Sequence, residues 1–354
     1  MQWIDRVKYG NGHDGSPAVT GTINSYATCT GTATQTSLTT ALSASTGDII
    51  LIHQSQGTGA GQWELNYVLA DAGATLTLAY PLAYSYGTGA QAVLVPQYTG
   101  GTLSGTVTGT AWNGSIGGII ALMSNGDLTI SGSITSKDGF RGGSDAAQQN
   151  QAWSGEGTTG ATAQQYIPRG NGGGGGKANS SSNSVGCGGG GGNGTAGATG
   201  GGVGSYTPGQ GGPVAGAAAL TTMVFGGAGG GSGVDQNGPG GYGGKGGGIV
   251  LIFTKNITVS GNIYLDGTNG VTATGGGGGG AGGSCLIKCQ SATLGTAKIT
   301  AAGGIGGQDR GNGGNGGAGR IHIDYYSGYT GTTTPTIDAA QDTNLKSTVY
   351  TSMI

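Results

Sequence analysis

Residues 247–267 read Gly-Gly-Ile-Val-Leu-Ile-Phe-Thr-Lys-Asn-Ile-Thr-Val-Ser-Gly-Asn-Ile-Tyr-Leu-Asp-Gly. Residues 117–139 follow the same plan: Gly-Gly-Ile-Ile-Ala-Leu-Met-Ser-Asn-Gly-Asp-Leu-Thr-Ile-Ser-Gly-Ser-Ile-Thr-Ser-Lys-Asp-Gly. Each has a glycine pair, an aliphatic run, a tight turn and a second short strand with an aliphatic residue after a Gly-X step. Glycine then returns. Ile-Ser-Gly-Ser-Ile in the earlier copy matches Val-Ser-Gly-Asn-Ile in the later one. A looser copy runs from Gly282 through Leu286, Ile287 and Ile299 to Gly303, and a partial one begins Gly319-Arg-Ile-His-Ile-Asp-Tyr325. Repeats of this kind stack, each coil covering the apolar face of the next. No segment sustains a 3.6-residue apolar period, so helix is scarce. The expectation is an all-β chain with a parallel, solenoid-like core.

Between these copies lies glycine. The chain has 87 glycines in 354 residues, against an average usage of about 7%. They crowd into runs such as Gly172–Gly176, Gly188–Gly192 and Gly275–Gly280. Collagen is excluded, because eight prolines are too few and the runs break any Gly-X-Y register. Disorder goes with high charge and few β-branched residues, whereas the charged fraction here is 8% and aliphatic strands recur throughout. The remaining state is a packed array of extended glycine helices with about three residues per turn and no internal hydrogen bonds. Their amides and carbonyls then pair with neighbouring helices. This predicts polyglycine-II helices packed on the solenoid-like core.

Residues 1–115 read as a β-rich N-terminal domain suited to docking or assembly. Asp48–His53 is a strand bounded by Gly47 and the turn-rich stretch 57–61. Gln62–Leu69 alternates with Trp63, Leu65 and Tyr67 on one face; Ala74–Leu78 alternates again, and Ala92–Val95 ends at Pro96. Residues 116–334 form the glycine-rich repeat scaffold, with an insertion at 140–246. Residues 335–354 are a polar, threonine-rich tail, either an edge strand or a partner-docking segment.

Formal charge is −2, so no basic field exists to hold nucleic acid or an anionic membrane. No apolar stretch approaches the roughly 18 residues of a membrane-spanning helix. The N-terminus Met-Gln-Trp-Ile-Asp-Arg-Val-Lys lacks the basic and apolar regions of a secretory signal, as a virion protein released by lysis would. Cys285 and Cys289 alternate with Ile287 on one strand face. At about 13 Å apart they are too distant for a disulfide, and they read as small core fillers.

No catalytic constellation is visible. His53 and His322 occupy strand positions, and Tyr9–Gly15, the one place where a histidine (His13) neighbours a carboxylate, reads as a turn. Paired carboxylates could hydrolyse glycans, but between Gly143 and Gly246 the acids are Asp145, Glu156 and Asp235 alone. The reading is therefore non-enzymatic, with no cofactor and no metal site. Recognition falls to aromatics set in Gly/Ser/Asn loops: Trp153, Tyr166, Tyr206, Phe225 and Tyr242. Flat rings stack on sugars or anchor protein contacts at low entropic cost; equally, each could plug a gap over a layer without side chains. Arg141 and Arg169, which flank the insertion, are placed to bond orphan carbonyls at its margin.

The stretch from Gly47 to Tyr98, the joint Ala111–Gly118, Phe140-Arg-Gly-Gly143 and the closing Gly313–Ile321 are similar to a family of glycine-rich proteins of phages and environmental bacteria. The glycine runs also resemble the receptor-binding adhesin at the fibre tip of T-even-like phages, in which a sandwich of polyglycine-II helices holds variable loops against the host surface. Here the glycine runs alternate with aliphatic strands and the N-terminal region is longer. The resemblance implies a phage tail-fibre or tip adhesin, located in the virion or outside the cell. Its partners would be a host-surface receptor, glycan or protein, and sister subunits, as a homo-oligomer. The alternative is a self-assembling subunit of an extracellular filament or surface layer. Ice binding by a flat polyglycine face is a third reading, disfavoured because no ordered threonine array runs through the glycine tracts.

Overall fold

The computed structural model describes residues 8–17, 19–145, 151–178, 184–234 and 238–346. Among these the regular structure is strand throughout, apart from one short 3-10 helix at Thr343–Leu345. No helix among the described residues is long and apolar enough to cross a membrane.

After a two-residue strand β1 (Gly21–Thr22), six strands close a barrel: β2 (Tyr26–Thr30), β3 (Ser37–Thr40), β4 (Ile49–Gln54), β5 (Trp63–Asp71), β6 (Thr75–Leu78) and β7 (Ala90–Val95). Their order around the barrel is β2-β3-β6-β5-β4-β7, with antiparallel neighbours. Strand β4 shows why the chain folds this way. Its six residues are all buried, and successive side chains point to opposite faces. Ile50 and Ile52 enter the barrel interior with Leu38, Val68, Leu76 and Leu78. Ile49 and Leu51 face outward, into a second core shared with the rest of the molecule. Each such buried aliphatic contributes about 1.5–3 kcal/mol.

A curled parallel sheet follows. Its strands are β8 (Gln97–Tyr98), β9 (Gly101–Leu103), β10 (Thr106–Thr108), β11 (Ile119–Ser124), β12 (Leu128–Ile130) and β13 (Ser133–Thr135). Within the glycine-rich segment come β14 (Val185–Gly186) and β15 (Gly202–Val203), a separate antiparallel pair. The sheet resumes with β16 (Ile249–Val259), β17 (Asn262–Tyr264), β18 (Ser284–Thr300), β19 (Arg320–Thr334) and β20 (Asp338–Gln341). Pairing puts Ile119 beside Ile249, Ile249 beside Ser284, and Ser284 beside Arg320. This is the register in which the repeats align. Ile130 likewise meets Val259, and Ile134 meets Ile263. The sheet also takes in β1 and β8–β10, so it begins ahead of residue 116.

Strand β11 and residues 249–254 of β16 are buried on both faces, as parallel strands usually are. Ile120, Leu122, Val250, Ile252, Cys285, Ile287 and Cys289 line the inside of the curl. The alternate residues Ile119, Ala121, Met123, Ile249, Leu251 and Phe253 face outward, toward the barrel and the glycine segments. Both cysteines are free and buried, and burial pushes their thiols up to about 12, so they stay protonated and inert.

The glycine runs hydrogen-bond to each other with a period of three. Along 188–192, Gly188 and Gly191 donate to Gly276 and Gly279, Gly189 and Gly192 to Gly174 and Asn171, and Gly190 to Ala198. Along 276–282, Gly276, Gly279 and Gly282 donate to Gly311, Gly314 and Gly317. In the same run Gly278 and Ala281 donate to Gly230 and Gly227, while Gly277 and Gly280 donate to Val271 and Thr268. A flat sheet gives each strand two neighbours and a period of two. Here each run turns its amides to three neighbours, and the layer is packed in two dimensions. A Cβ on Gly191 or Gly278 would fall deep inside the carbonyl oxygens of Gly227 or Gly189. Residues 171–178 and 184–233 thus supply partners of the later glycine runs; they are part of the layer, not an appendage to it.

Segments near both ends of the described chain lie along sheet edges. Asp14 N–H donates to the Gln97 carbonyl and Thr99 N–H to that of Gly15, so residues 14–15 cover the β8 edge, and β1 covers β10. At the other edge β20 pairs in parallel with β19. Part of the tail is therefore an edge strand.

Candidate recognition surface

The three-way junction of barrel, curled sheet and glycine layer is where functional side chains could have been gathered, and it is filled instead with structural ones. Trp112, Phe140 and Phe225 form an aromatic cluster with ring centroids 5.0–5.8 Å apart. Phe225 is wholly buried. Its reading as a surface contact is corrected: it plugs the space where the side-chain-free layer meets the sheet, because glycine leaves nothing else to fill it.

Beside this cluster Glu156 is fully buried. Arg141 donates to its two oxygens at 2.9 and 3.1 Å, and the Trp112 indole and the Arg141 amide complete the set. Arg141 is thus spent on a carboxylate, not on orphan carbonyls as the sequence suggested. Arg169 does reach one carbonyl, that of Thr159, at 3.3 Å. Glu156 is thus buried with both oxygens engaged, and Asp235 lies outside the described residues. His53 is also structural. Its Nε2 donates to the Met223 carbonyl at 2.8 Å, and burial drives its pKa down to about 4. Among the described residues no group of three or more His, Cys, Asp or Glu is placed to hold a metal ion.

The other four aromatics are exposed: Trp153, Tyr166, Tyr206 and Tyr242. Among the described residues no ring contact joins them. Trp153 and Tyr166 flank the run 172–176, since Gly175 abuts Trp153 and Gly174 abuts Tyr166. Tyr206 adjoins Thr207, which pairs with Lys177 at the end of the same run. Tyr242 lies on a different ridge.

That second ridge holds residues the sequence reading passed over. Val271 N–H donates to the Tyr242 carbonyl, Gly270 N–H to the Ile305 carbonyl, and Ile305 N–H to the Asn269 side chain. Tyr242, Val271 and Ile305 are 52%, 47% and 55% exposed. Three adjacent turns, fixed by main-chain bonds, thus each present one large apolar side chain to solvent. A clue existed in the sequence: Val271 and Ile305 are the lone large aliphatic residues in otherwise small and polar turns.

Comparison with protein-family models, with curated proteins and with solved structures finds no match to this chain.

Proposed function

We propose that this chain is a non-enzymatic attachment protein, of the phage tail-fibre or tip-adhesin kind, that binds a receptor on a host surface through turns held on a rigid glycine scaffold. Two finer structural readings belong to this proposal. The three-neighbour, three-residue hydrogen-bond period fits polyglycine-II helices. The in-register stacking of 97–108, 119–135, 249–264, 284–300 and 320–334 fits a short β-solenoid. The observation that carries the functional reading is the ridge of Tyr242, Val271 and Ile305, exposed on turns whose backbones are bonded to one another. Isolated exposed apolar residues are ordinary; three on consecutive fixed turns form a contact surface that needs no ordering on binding.

A filament built by extending the parallel sheet from copy to copy needs two open edges. The β8–β10 edge is already covered by residues 14–15 and β1, which favours discrete particles over such growth. The test is to label the full chain fluorescently and screen it against a panel of bacterial cells, alongside Tyr242→Ala combined with Val271→Ser and Ile305→Ser. The expected result is saturable labelling of some strain that the triple variant loses at least tenfold, and discrete particles by negative stain. Open-ended fibres, or labelling that the triple variant retains, would overturn the proposal.

A further inference from the structure

A large open cavity lies apart from the glycine ridge. It is a cleft of about 1170 Å³ between one side of the barrel and the loops at Gly114–Ser115 and Thr159–Gly160. Its walls are β2, β3 and the turns at 54–58 and 85–90. The lining is chemically narrow. It contains no Asp, Glu, Lys, Arg or His, and no Leu, Ile, Val or Phe; threonine, glycine, glutamine, serine and alanine supply most of it.

That composition selects a ligand class by elimination. A charged ligand would shed water without meeting a counter-charge, which is costly. A hydrocarbon or drug-like ligand would find Tyr86 as the one aromatic and no large aliphatic side chain in the lining, short of the walls such ligands need. An extended peptide added as a strand needs an open edge, and the barrel is closed. What the cleft offers is hydroxyls. Thr28, Thr30, Thr39, Thr88, Ser115 and Thr159 all line it and are solvent-exposed. None of their hydroxyls has a hydrogen-bond partner among the described residues. Thr40 and Ser85, in the same wall, are already engaged, with the Thr28 carbonyl and the Ala33 amide. A hydroxyl both donates and accepts, as each sugar hydroxyl does.

The cleft is also preformed across two parts of the molecule. Gln54 donates to the carbonyls of Gln56 and Thr88 and accepts from Gly87 N–H, which locks the two turns together. Gln56 Nε2 donates to the Gly157 carbonyl and Gly57 N–H to that of Thr158, which fixes the opposite rim. At Gly89, with φ +89°, a Cβ would press on the Gln56 carbonyl. We propose that this cleft is a binding site for an uncharged oligosaccharide. The proposal stands without the attachment reading, because it uses none of the ridge residues.

The test is saturation-transfer NMR on the full chain with maltohexaose, cellohexaose and mannohexaose as neutral probes, and a hexagalacturonate and a chitosan hexamer as charged ones. Thr39→Trp combined with Thr88→Trp fills the cleft from two exposed positions; Ser115→Glu is the single-site alternative should the double variant fail to fold. At least one neutral oligosaccharide should give transfer at millimolar concentration. The folded cleft variant should bind it at least tenfold more weakly, and the Tyr242/Val271/Ile305 variant should bind it unchanged. Silence from all three neutral probes would overturn the proposal. So would equal binding of the charged probes, or transfer that persists in a folded cleft variant.

Discussion

The barrel and the glycine layer are both built from extended chain, yet they exclude water by opposite means. In the barrel, side chains such as Leu38, Ile50, Ile52 and Leu76 meet in a common interior. In the layer no side chain intervenes: the carbonyl of one run sits where the neighbour's Cβ would be. The barrel is sensitive to lost volume and the layer to added volume. The difference follows from what each buries, apolar surface in one case and paired main-chain dipoles in the other.

The largest expected effect lies at the node joining the two regions. Arg141→Ala leaves the fully buried Glu156 carboxyl without its ion-pair partner. Removing one partner of such a pair typically costs about 3–5 kcal/mol, to be read from chemical denaturation of the full chain. Deleting 140–246 would be a poor probe of the same region, because it removes hydrogen-bond partners of the later glycine runs along with Phe140 and Phe225.

The comparison itself is tested by a matched pair of substitutions. Leu38→Ala in the barrel is expected to cost about 2–5 kcal/mol through the cavity it opens. Gly278→Ala adds one methyl and is expected to cost about 1–3 kcal/mol, since the Gly189–Gly190 backbone it would meet must shift. A neutral Gly278→Ala would mean that the layer is not close-packed.

A smaller effect belongs to the sheet edge. His322 lies between Asp338 on β20, at 2.7 Å, and Asp324, at 3.1 Å. Burial lowers its pKa, but the hydrogen bonds and charges of Asp324 and Asp338 outweigh burial and raise it above the ordinary value. Protonated His322 therefore fastens β20. That contribution is complete below the ordinary value of about 6.5 and fades as pH rises through the higher folded-state value. Protection of the Asp338–Gln341 amides, corrected for the intrinsic base-catalysed exchange rate, should fall over that rise, and His322→Gln should remove that fall. The smallest effect is expected at the ridge: Tyr242→Ala should change stability by under about 0.5 kcal/mol in the same denaturation assay.

What could be read from the sequence followed local periodicity. The strand expected at Asp48–His53, an aliphatic run bounded by turn residues, is present one residue later as Ile49–Gln54; the match between 117–139 and 247–267 is the register in which β11 and β16 pair. Cys285, Ile287 and Cys289 alternate and share one interior. What could not be read depends on contacts between distant segments. Nothing near Phe225 in sequence shows that Trp112 and Phe140 close over it. Nothing near Glu156 shows that Arg141 and Trp112 surround it. Closure of the barrel rests on β2 meeting β7, across the whole domain. Low-complexity glycine hides pairing for a related reason: with no side-chain pattern, a run gives no sign of which three neighbours it will take.

The central claim is that glycine backbone alone forms a rigid, water-excluding layer. Hydrogen exchange followed by mass spectrometry over 187–192, 226–233 and 275–283 tests it most directly. Protection matching that of β4 and β5 in the barrel is the predicted result. Exchange of those glycine amides at the rate of an unstructured peptide, with the barrel still protected, would contradict the account.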